Sequence, residues 1–438
     1  MGSINIDNTG TGADVTLSSD GTSLLLGGTA IGGGADLYAA NPSSATDPVA
    51  SGANAVAIGD GATASGSDSY AIGNGVTASA DRSIAIGEGT NNASQSVLIG
   101  FSTGNTVSGS QAVEIGRFVT ASGTGSLAIG GSVAATSNYA SAIGRNSSNG
   151  GSQAVTGAGA MALGGSYASG ADSFAAAIAN NTSSYGATGA NSIAIGKQAK
   201  ASSNEAVAIG GNFQTASALY ASTIGGTFNT NQGSRAIIAG GQSNTISTAA
   251  QYGVIVGGNN NNVTGDRGVI VGGANNEANA FHTFATGEYA KAAEIGKLAR
   301  ATGRFSADGD AQGGQFILRA DTTDATATVL TTNNSTAAST NQIVAASDTC
   351  ITFDGTITAM QNGAQAYASW KIEGLLVNDG GTTTLANSAT TVISNSSSWG
   401  MALSADNTNN ALAITCTGEA AHNIRWVANI RTTEVTYA

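Results

Sequence analysis

A glycine preceded by an aliphatic residue recurs about every fourteen positions between Ile58 and Ile295, and this recurrence constrains the fold more than any other feature. A period of this length is too short for a pair of helices. It fits one coil of a β-solenoid, in which each coil stacks on its neighbours. The sequence therefore predicts an all-β protein built mainly as a solenoid. The pairs are Ile58-Gly59, Ile72-Gly73, Ile86-Gly87, Ile99-Gly100, Ile115-Gly116, Ile129-Gly130, Ile143-Gly144, Leu163-Gly164, Ile195-Gly196, Ile209-Gly210, Ile224-Gly225, Val256-Gly257 and Val271-Gly272.

Composition excludes several classes of protein. The 438 residues include 63 glycines but only 2 prolines and no Gly-X-Y period, so the chain is not collagen-like, and the regular aliphatic positions argue against disorder. A net charge of -12 disfavours nucleic acid and anionic membranes as partners. No run of 18 apolar residues occurs, and residues 1–10 lack the pattern of a secretion signal. We therefore expect no membrane insertion, and synthesis in the cytoplasm.

The chain divides into three regions that differ in their sequence pattern. Residues 1–50 contain short apolar segments and both prolines, which predicts an N-terminal module followed by a linker. Residues 51–303 carry the repeat. Residues 304–438 contain strictly alternating segments, which predict an antiparallel β-sandwich holding all three tryptophans.

Within one coil, Val56 and Ile58 alternate along a strand, so we expect both to share the inner face. Two buried aliphatics per coil are a small gain against the backbone entropy of about fourteen ordered residues. The second strand, as in Ala62-Thr63-Ala64, consists of small residues that allow another backbone to approach closely. We therefore predict that several chains pack side by side, with three as the expected number.

The repeat resembles the left-handed parallel β-roll head of trimeric autotransporter adhesins, on the residues of segments 54–59, 83–87 and 191–196 (NAVAIG, SIAIG and NSIAIG). The segments 303–312 (GRFSADGDAQ) and 412–418 (LAITCTG) are similar to C-terminal modules of bacteriophage tail fibres. The first resemblance implies a homotrimer and the second implies a virion.

Together these features predict a homotrimeric tail fibre of a phage, made in the host cytoplasm, that adheres by many weak contacts. Residues 1–50 would join other tail or baseplate proteins, residues 51–303 would form the left-handed β-roll shaft, and residues 304–438 would bind a host surface glycan or an outer-membrane component. Two alternatives stay open. The protein could be a polysaccharide-cleaving tailspike, or a structural appendage of the virion without receptor binding.

The sequence gives little sign of catalysis. A depolymerase needs two converging carboxylates, yet the acidic residues of the repeat are scattered, so we predict that the chain is not an enzyme. Glu114 replaces the alanine found in other coils and is interpreted as a polar contact between chains. His282 and His422 stand apart from any metal or triad pattern, and no cofactor is expected. The two cysteines are interpreted as buried free thiols, with a bridge between Cys350 and Cys416 as the alternative.

Aromatic residues are the candidates for receptor binding, because sugars stack on aromatic faces. Trp370, Trp399 and Trp426 lie at alternating strand positions, which favours core packing over a sugar platform. Tyr139 and Tyr185 lie in turns and are better candidates for exposure. The further aromatics in turns or loops are Phe101, Tyr167, Tyr220 and Tyr252.

Overall fold

The computed structural model describes residues 4–6, 15–19, 24–26, 29–30, 46–145, 153–164, 166–177, 184–363, 366–397 and 399–437. Every regular element in these ranges is a β-strand, which confirms the all-β prediction. Within the same ranges, no helix is long and apolar enough to cross a bilayer. The chain forms two compact units, Met1–Met161 and Ala162–Ala438.

The N-terminal strands form an antiparallel meander in which each strand pairs with the next. They are β1 Ile4–Ile6, β2 Val15–Ser19, β3 Leu24–Leu26 and β4 Thr29–Ala30. The predicted linker falls largely outside the described residues, including Pro42, whereas Pro48 directly precedes the first strand of the repeat.

The repeat of the first unit forms stacked coils with parallel pairing. Each coil has a first strand ending near the aliphatic-glycine pair and a second strand of small residues. Equivalent positions pair in register, as in Ile58 with Ile72 and Thr63 with Thr77. The strands are β5 Val49–Ala50, β6 Val56–Ile58, β7 Thr63–Ala64, β8 Tyr70–Ile72, β9 Thr77–Ala78, β10 Ile84–Asn91, β11 Val97–Val107, β12 Val113–Arg117, β13 Thr120–Ala121, β14 Leu127–Gly131, β15 Val133–Ala135, β16 Ser141–Arg145, β17 Gln153–Val155 and β18 Met161–Gly164.

In the second unit the same construction continues as two parallel sheets, one of first strands and one of second strands. The strands are β19 Phe174–Ala177, β20 Gly186–Ala187, β21 Ile193–Lys197, β22 Lys200–Ala201, β23 Val207–Asn212, β24 Thr215–Ala216, β25 Ser222–Ile224, β26 Thr230–Asn231, β27 Ile237–Ile238, β28 Thr245–Ile246, β29 Val254–Ile255, β30 Asn262–Val263, β31 Val269–Ile270, β32 Glu277–Ala278, β33 Phe284–Glu288, β34 Lys291–Ala292 and β35 Leu298–Thr302. Both units together contain about 17 turns, so the predicted solenoid is confirmed.

The prediction that the aliphatics face inward is wrong. Ala71 and Ala85, in the middle of their strands, are fully buried, whereas Ile72 and Ile86 are each 37% exposed. Alternation places the alanine inside and both flanking aliphatics outside. In most coils of the first unit the methyl group of alanine fills this interior position, whereas Leu98 and, in later coils, Ile238, Ile255 and Ile270 fill it with a larger side chain. The aliphatics therefore form an outward face, called the aliphatic face below.

Four asparagines form a buried ladder in the later coils, and the sequence analysis missed it. Asn229, Asn244, Asn261 and Asn276 are fully buried, one in each coil. The backbone amides of Asn244, Asn261 and Asn276 each donate to Oδ1 of the preceding asparagine of the ladder, at 3.0 Å. Their Nδ2 groups donate to glycine carbonyls, as from Asn244 to the carbonyl of Gly258 at 3.1 Å. The ladder supplies hydrogen-bond partners to backbone groups at a buried corner. Without these partners the buried backbone groups would be unpaired, which costs free energy.

Glu114 occupies the interior alanine position of its own coil, so its interpretation as a contact between chains is wrong. The side chain is fully buried, and its Oε2 accepts a hydrogen bond from the Ala121 amide at 3.0 Å. Oε1 has no hydrogen-bond partner among the described residues. Burial raises the pKa of this carboxyl from its ordinary 4.5 to about 7.

The C-terminal strands form two antiparallel sheets. The first sheet has the order β36–β44–β39–β40–β41, and in the second, β43 pairs with β37, β38 and β42. One apolar core contains residues of both sheets, which confirms the predicted β-sandwich. The strands are β36 Ala311–Thr322, β37 Ala327–Val329, β38 Ile343–Val344, β39 Thr349–Gln361, β40 Tyr367–Asp379, β41 Thr382–Asn395, β42 Gly400–Asp406, β43 Ala411–Thr417 and β44 Ile424–Thr436.

We predict that Gly130→Ala strongly destabilises the first unit. Gly130 has φ +135°, and a Cβ there would lie 1.6 Å from the carbonyl oxygen of Gly144 in the next coil. The strained backbone alone costs about 1–3 kcal/mol, and the clash adds to it. Gly131→Ala is the matched control, since the nearest atom to its Cβ would be Arg145 Cγ at 3.6 Å. Denaturant unfolding should show a large decrease in the free energy of unfolding for Gly130→Ala and a small change for Gly131→Ala. Equal losses would contradict the prediction.

We predict that Glu114 makes stability depend on pH. Its pKa is higher in the folded chain, so the native state binds more protons than the unfolded state between about pH 4.5 and pH 7. The free energy of unfolding should therefore fall by roughly 3 kcal/mol as the pH rises through this window.

Denaturant unfolding at pH 4.5 and pH 7.5 measures this difference. Glu114→Gln should remove this part of the pH dependence, because glutamine does not titrate. The exposed Glu88→Gln is the control and should leave it intact. A Glu114→Gln variant with the unchanged pH profile would refute the assignment.

Candidate receptor-binding surfaces

The three tryptophans form one cluster inside the sandwich. Trp370, Trp399 and Trp426 are 3%, 4% and 0% exposed. The Trp370 and Trp426 rings are stacked with centroids 5.6 Å apart, and Trp399 lies 5.8 Å from Trp426. The Trp426 indole donates to Thr322 Oγ1 at 3.0 Å. This placement corresponds to core packing, which the alternation favoured, and it leaves no indole face for a sugar.

The corners of the coils bring exposed side chains into columns. The residue two positions before the first strand of a coil has positive φ, and this position is called the first corner. A second series of residues with positive φ, called the second corner, precedes the second strand. Asparagine and glycine adopt this conformation readily, but tyrosine, phenylalanine and arginine also occupy it here. Hydrogen bonds between coils hold it, as from the Tyr220 amide to the Asn204 carbonyl at 3.2 Å. The first-corner residues other than glycine are Asn54, Asp68, Arg82, Gln95, Gln111, Tyr139, Asp172, Asn191, Glu205, Tyr220, Arg235, Tyr252, Arg267 and His282.

Tyr139 lies at a first corner of the first unit with 66% of its surface exposed. A Cβ at Gly125, one coil earlier, would lie 2.9 Å from the Tyr139 ring, so the ring rests on that glycine. Phe101 is equally exposed in the same unit, whereas Tyr167 is half-buried. Tyr139 is therefore presented as an isolated aromatic group.

Tyr185 belongs to a cluster on the second unit, called the aromatic platform, together with Phe213 and Phe228. Tyr185 meets Phe213 edge to face at 6.2 Å, and the Phe213 and Phe228 rings stack at 5.0 Å. Phe213 and Phe228 are second-corner residues, and Phe228 is 52% exposed. Lys200, Thr215 and Thr230 line the same shallow groove of about 340 Å³. The sequence analysis missed both phenylalanines, although their spacing of one coil was visible in it.

A buried ion cluster is the nearest approach to paired carboxylates. Lys297 Nζ lies 3.1 Å from Glu294 Oε2 and 2.8 Å from Glu434 Oε2, and all three side chains are buried. Burial raises the pKa of Glu294. Glu434 also accepts hydrogen bonds from Gln312 Nε2 at 2.8 Å and Thr432 Oγ1 at 2.6 Å. Since Glu434 comes from β44 and Lys297 precedes β35, the cluster ties the last coil to the sandwich.

The remaining reactive side chains of the described residues lie apart from one another. Cys350 lies on β39 and Cys416 on β43, and both are free thiols, so the alternative of a bridge is wrong. Cys416 is buried as predicted, whereas Cys350 is only half-buried because it lies toward the surface of its strand. Burial raises the pKa of Cys416 to about 12, which keeps this thiol protonated. His282 packs against Phe281 at 3.9 Å, and His422 Nδ1 contacts Glu419 Oε2 at 3.1 Å. Among the residues that the structure describes, no group of three His, Cys, Asp or Glu side chains could hold a metal ion.

Comparison with known proteins finds a matching family model and similar solved structures. The family model for the YadA head domain repeat (2 copies) matches residues 50–75, 64–90 and 187–212. No curated protein matches the chain in sequence.

Solved structures similar to the chain include two tailspikes of phages. One is the tailspike protein gp49 of Acinetobacter baumannii bacteriophage Fri1, a capsular polysaccharide depolymerase, with 9% identity, a TM-score of 0.20, and coverage of 87% of this chain and 72% of that one. The other is the tailspike protein of Acinetobacter phage vB_ApiP_P1, with 10% identity, a TM-score of 0.19, and coverage of 87% and 80%.

The prediction that the chain is not an enzyme is contradicted by this comparison. The similar structures are tailspikes, and the first of them is described as a depolymerase. We therefore withdraw that prediction. At a TM-score of 0.20 the likeness assigns no catalytic residue to this chain.

We predict that Lys297→Met strongly destabilises the second unit. The change leaves Glu294 and Glu434 buried without their cation, and breaking a buried pair in this way costs about 3–5 kcal/mol. Lys371→Met is the control, because Lys371 and Glu373 form an exposed pair that contributes at most about 1 kcal/mol. Thermal unfolding of both variants measures the difference. A Lys297→Met protein as stable as the control would show that the cluster contributes nothing.

Proposed function

We propose that the protein is a trimeric attachment protein of a bacteriophage virion that binds a glycan on the host surface. The observation that carries the proposal is the tandem repeat, which matches the YadA head domain repeat and forms regular stacked coils. The similarity of residues 303–312 to tail-fibre modules supports the assignment to a virion. The proposal covers attachment with or without cleavage of the glycan.

Trimer formation is supported by the aliphatic face. In the first unit none of its members is buried, and aliphatic residues follow one another along the stacked first strands. A continuous exposed apolar surface of this kind marks an interaction site. Each coil of the first unit fills its own interior mainly with alanine, so burying the aliphatic face between three chains supplies the apolar core that a single coil lacks. The members are Val56, Ile58, Ile72, Ile84, Ile86, Val97, Ile99, Val113, Ile115, Leu127, Ile129 and Ile143.

We assign the parts of the chain in the same proposal. Residues 1–50 bind other tail or baseplate proteins, residues 51–303 form a left-handed shaft, and residues 304–438 contribute a receptor-binding module. We place one glycan contact on the aromatic platform, because Phe228 exposes its ring beside Lys200 and the hydroxyls of Thr215 and Thr230. An aromatic ring beside hydrogen-bonding groups is the arrangement that holds a sugar.

Light scattering tests the trimer. The double variant Ile72→Asp and Ile86→Asp places two charges on the aliphatic face and should reduce the mass of the particle from three chains to one, because buried unpaired charges are costly. Asn74→Asp, an exposed site in the same coil as Ile72, adds charge without touching this face and should leave the trimer intact. A monomeric unmodified protein would contradict the trimer.

Binding of labelled protein to bacterial strains with defined surface polysaccharides tests attachment. We expect binding to strains that carry the receptor and none to mutants that lack the polysaccharide. Replacing Phe228 by Ala should weaken binding roughly tenfold, since losing the apolar contact of one aromatic ring with a sugar costs on the order of 1.5 kcal/mol. Phe118→Ala is the matched control, because Phe118 is a second-corner aromatic of similar exposure. Assaying released reducing ends in the same samples separates binding from cleavage. Binding to no strain would overturn the proposal.

A further inference from the structure

Four first-corner residues on successive coils of the second unit form what we call the arginine–tyrosine column: Tyr220, Arg235, Tyr252 and Arg267. We propose that this column binds the carboxylate groups of an acidic polysaccharide. The inference rests on the proposed function and specifies the chemistry of the glycan.

The guanidinium groups are held between aromatic rings. Arg235 Cζ lies 5.4 Å from the Tyr220 ring centroid and 5.7 Å from that of Tyr252. Arg267 Cζ lies 5.3 Å from Tyr252 and 4.9 Å from Phe281. These distances are within the range of cation–π contact. Each arginine is therefore positioned in advance, which lowers the entropy cost of binding an anion.

The stacking also determines which ligand fits. Two arginines lie over the Tyr252 ring and one lies over the Tyr220 ring, so the contacted ring surfaces do not serve as platforms for neutral sugars. Arg235 and Arg267 are exposed residues, and Tyr220 and Tyr252 are each 43% exposed. Guanidinium edges present paired N–H donors that match a carboxylate. The column is therefore suited to an anion, in contrast to the aromatic platform.

Arg235 is the strongest contact point. It forms no salt bridge with any residue that the structure describes, whereas Arg267 contacts Asp266 at 3.0 Å in an exposed pair. Glu205 occupies the first corner one coil before Tyr220, at one end of the column. Asp266 lies beside Arg267 at the other end. In a chain with net charge -12, an unneutralised arginine held between two rings is a local site for a negative ligand.

The spacing between the two arginines of the column suits a polymeric ligand. Strands of adjacent coils lie about 4.8 Å apart, so Arg235 and Arg267, two coils apart, are separated by roughly 10 Å along the stack. Carboxylates on alternate sugars of an extended polysaccharide have a similar separation. One chain of such a polymer running along the column would contact both arginines, and the second contact would gain from effective concentration.

The test measures binding of the intact protein to oligogalacturonate and to its methyl ester, which keeps the sugar backbone but removes the charge. Isothermal titration at low salt compares the unmodified protein, the double variant Arg235→Gln and Arg267→Gln, and Arg82→Gln. Arg82 is a first-corner arginine flanked by the corner residues Asp68 and Gln95, so it is the matched control. Thermal unfolding checks that the variants remain folded.

We expect the unmodified protein and the Arg82→Gln variant to bind oligogalacturonate, and the double variant to bind at least tenfold more weakly with unchanged unfolding temperature. The methyl ester should also bind at least tenfold more weakly. Equal binding of acid and ester, unchanged binding by the double variant, or no binding of the acid would overturn the inference.

Bacterial binding by the same proteins separates this inference from the proposed function. A double variant that adheres to cells like the unmodified protein would overturn the column as a receptor site while leaving attachment intact. An unmodified protein that adheres to no strain would overturn attachment itself.

Discussion

The close approach of successive coils is the constraint on which the rest of the structure depends. At Gly130 a single added carbon would lie 1.6 Å from a carbonyl oxygen of the next coil, and Gly59 and Gly73 face the next coil in the same way. The backbone must therefore pass these points without a side chain, and the positive φ adopted there turns each coil. The recurring glycine is a condition for the parallel hydrogen bonds between coils.

Stacking in register converts each position of the repeat into a column of side chains. The same geometry that pairs Ile58 with Ile72 also aligns Asn229 with Asn244 and places Arg235 between Tyr220 and Tyr252. Interior columns satisfy buried polar groups, and exterior columns present a repeated chemical group to the solvent. Binding surfaces of this fold are therefore linear, and their chemistry changes from one group of coils to the next without disturbing the backbone.

Much of the fold was predictable because its signals are local or periodic. The repeat indicated the solenoid, and strict alternation around Trp370 and Trp426 indicated a sandwich with buried tryptophans. The direction of the aliphatics was predicted wrongly, since alternation gives two faces but does not say which one is inside. Glu114 was misjudged for the same reason. The candidate binding surfaces were harder to predict than the fold. Tyr185 was visible in the sequence as an aromatic residue in a turn, but its contacts with Phe213 and Phe228 depend on how many residues each coil contains.

The sequence by itself determined that the chain repeats, that it is all-β, and that its last region has a conventional core, because glycine spacing and alternation act on the backbone directly. Only the tertiary structure decided which face of the first strand is interior, because that depends on how the two strands of one coil pack against each other. The interior position holds alanine in most coils of the first unit and isoleucine at Ile238, Ile255 and Ile270. The tertiary structure also decided which corner residues become neighbours. Residues about fifteen positions apart meet only when whole coils stack, and the contacts of Arg235 with Tyr220 and Tyr252 arise at that level alone.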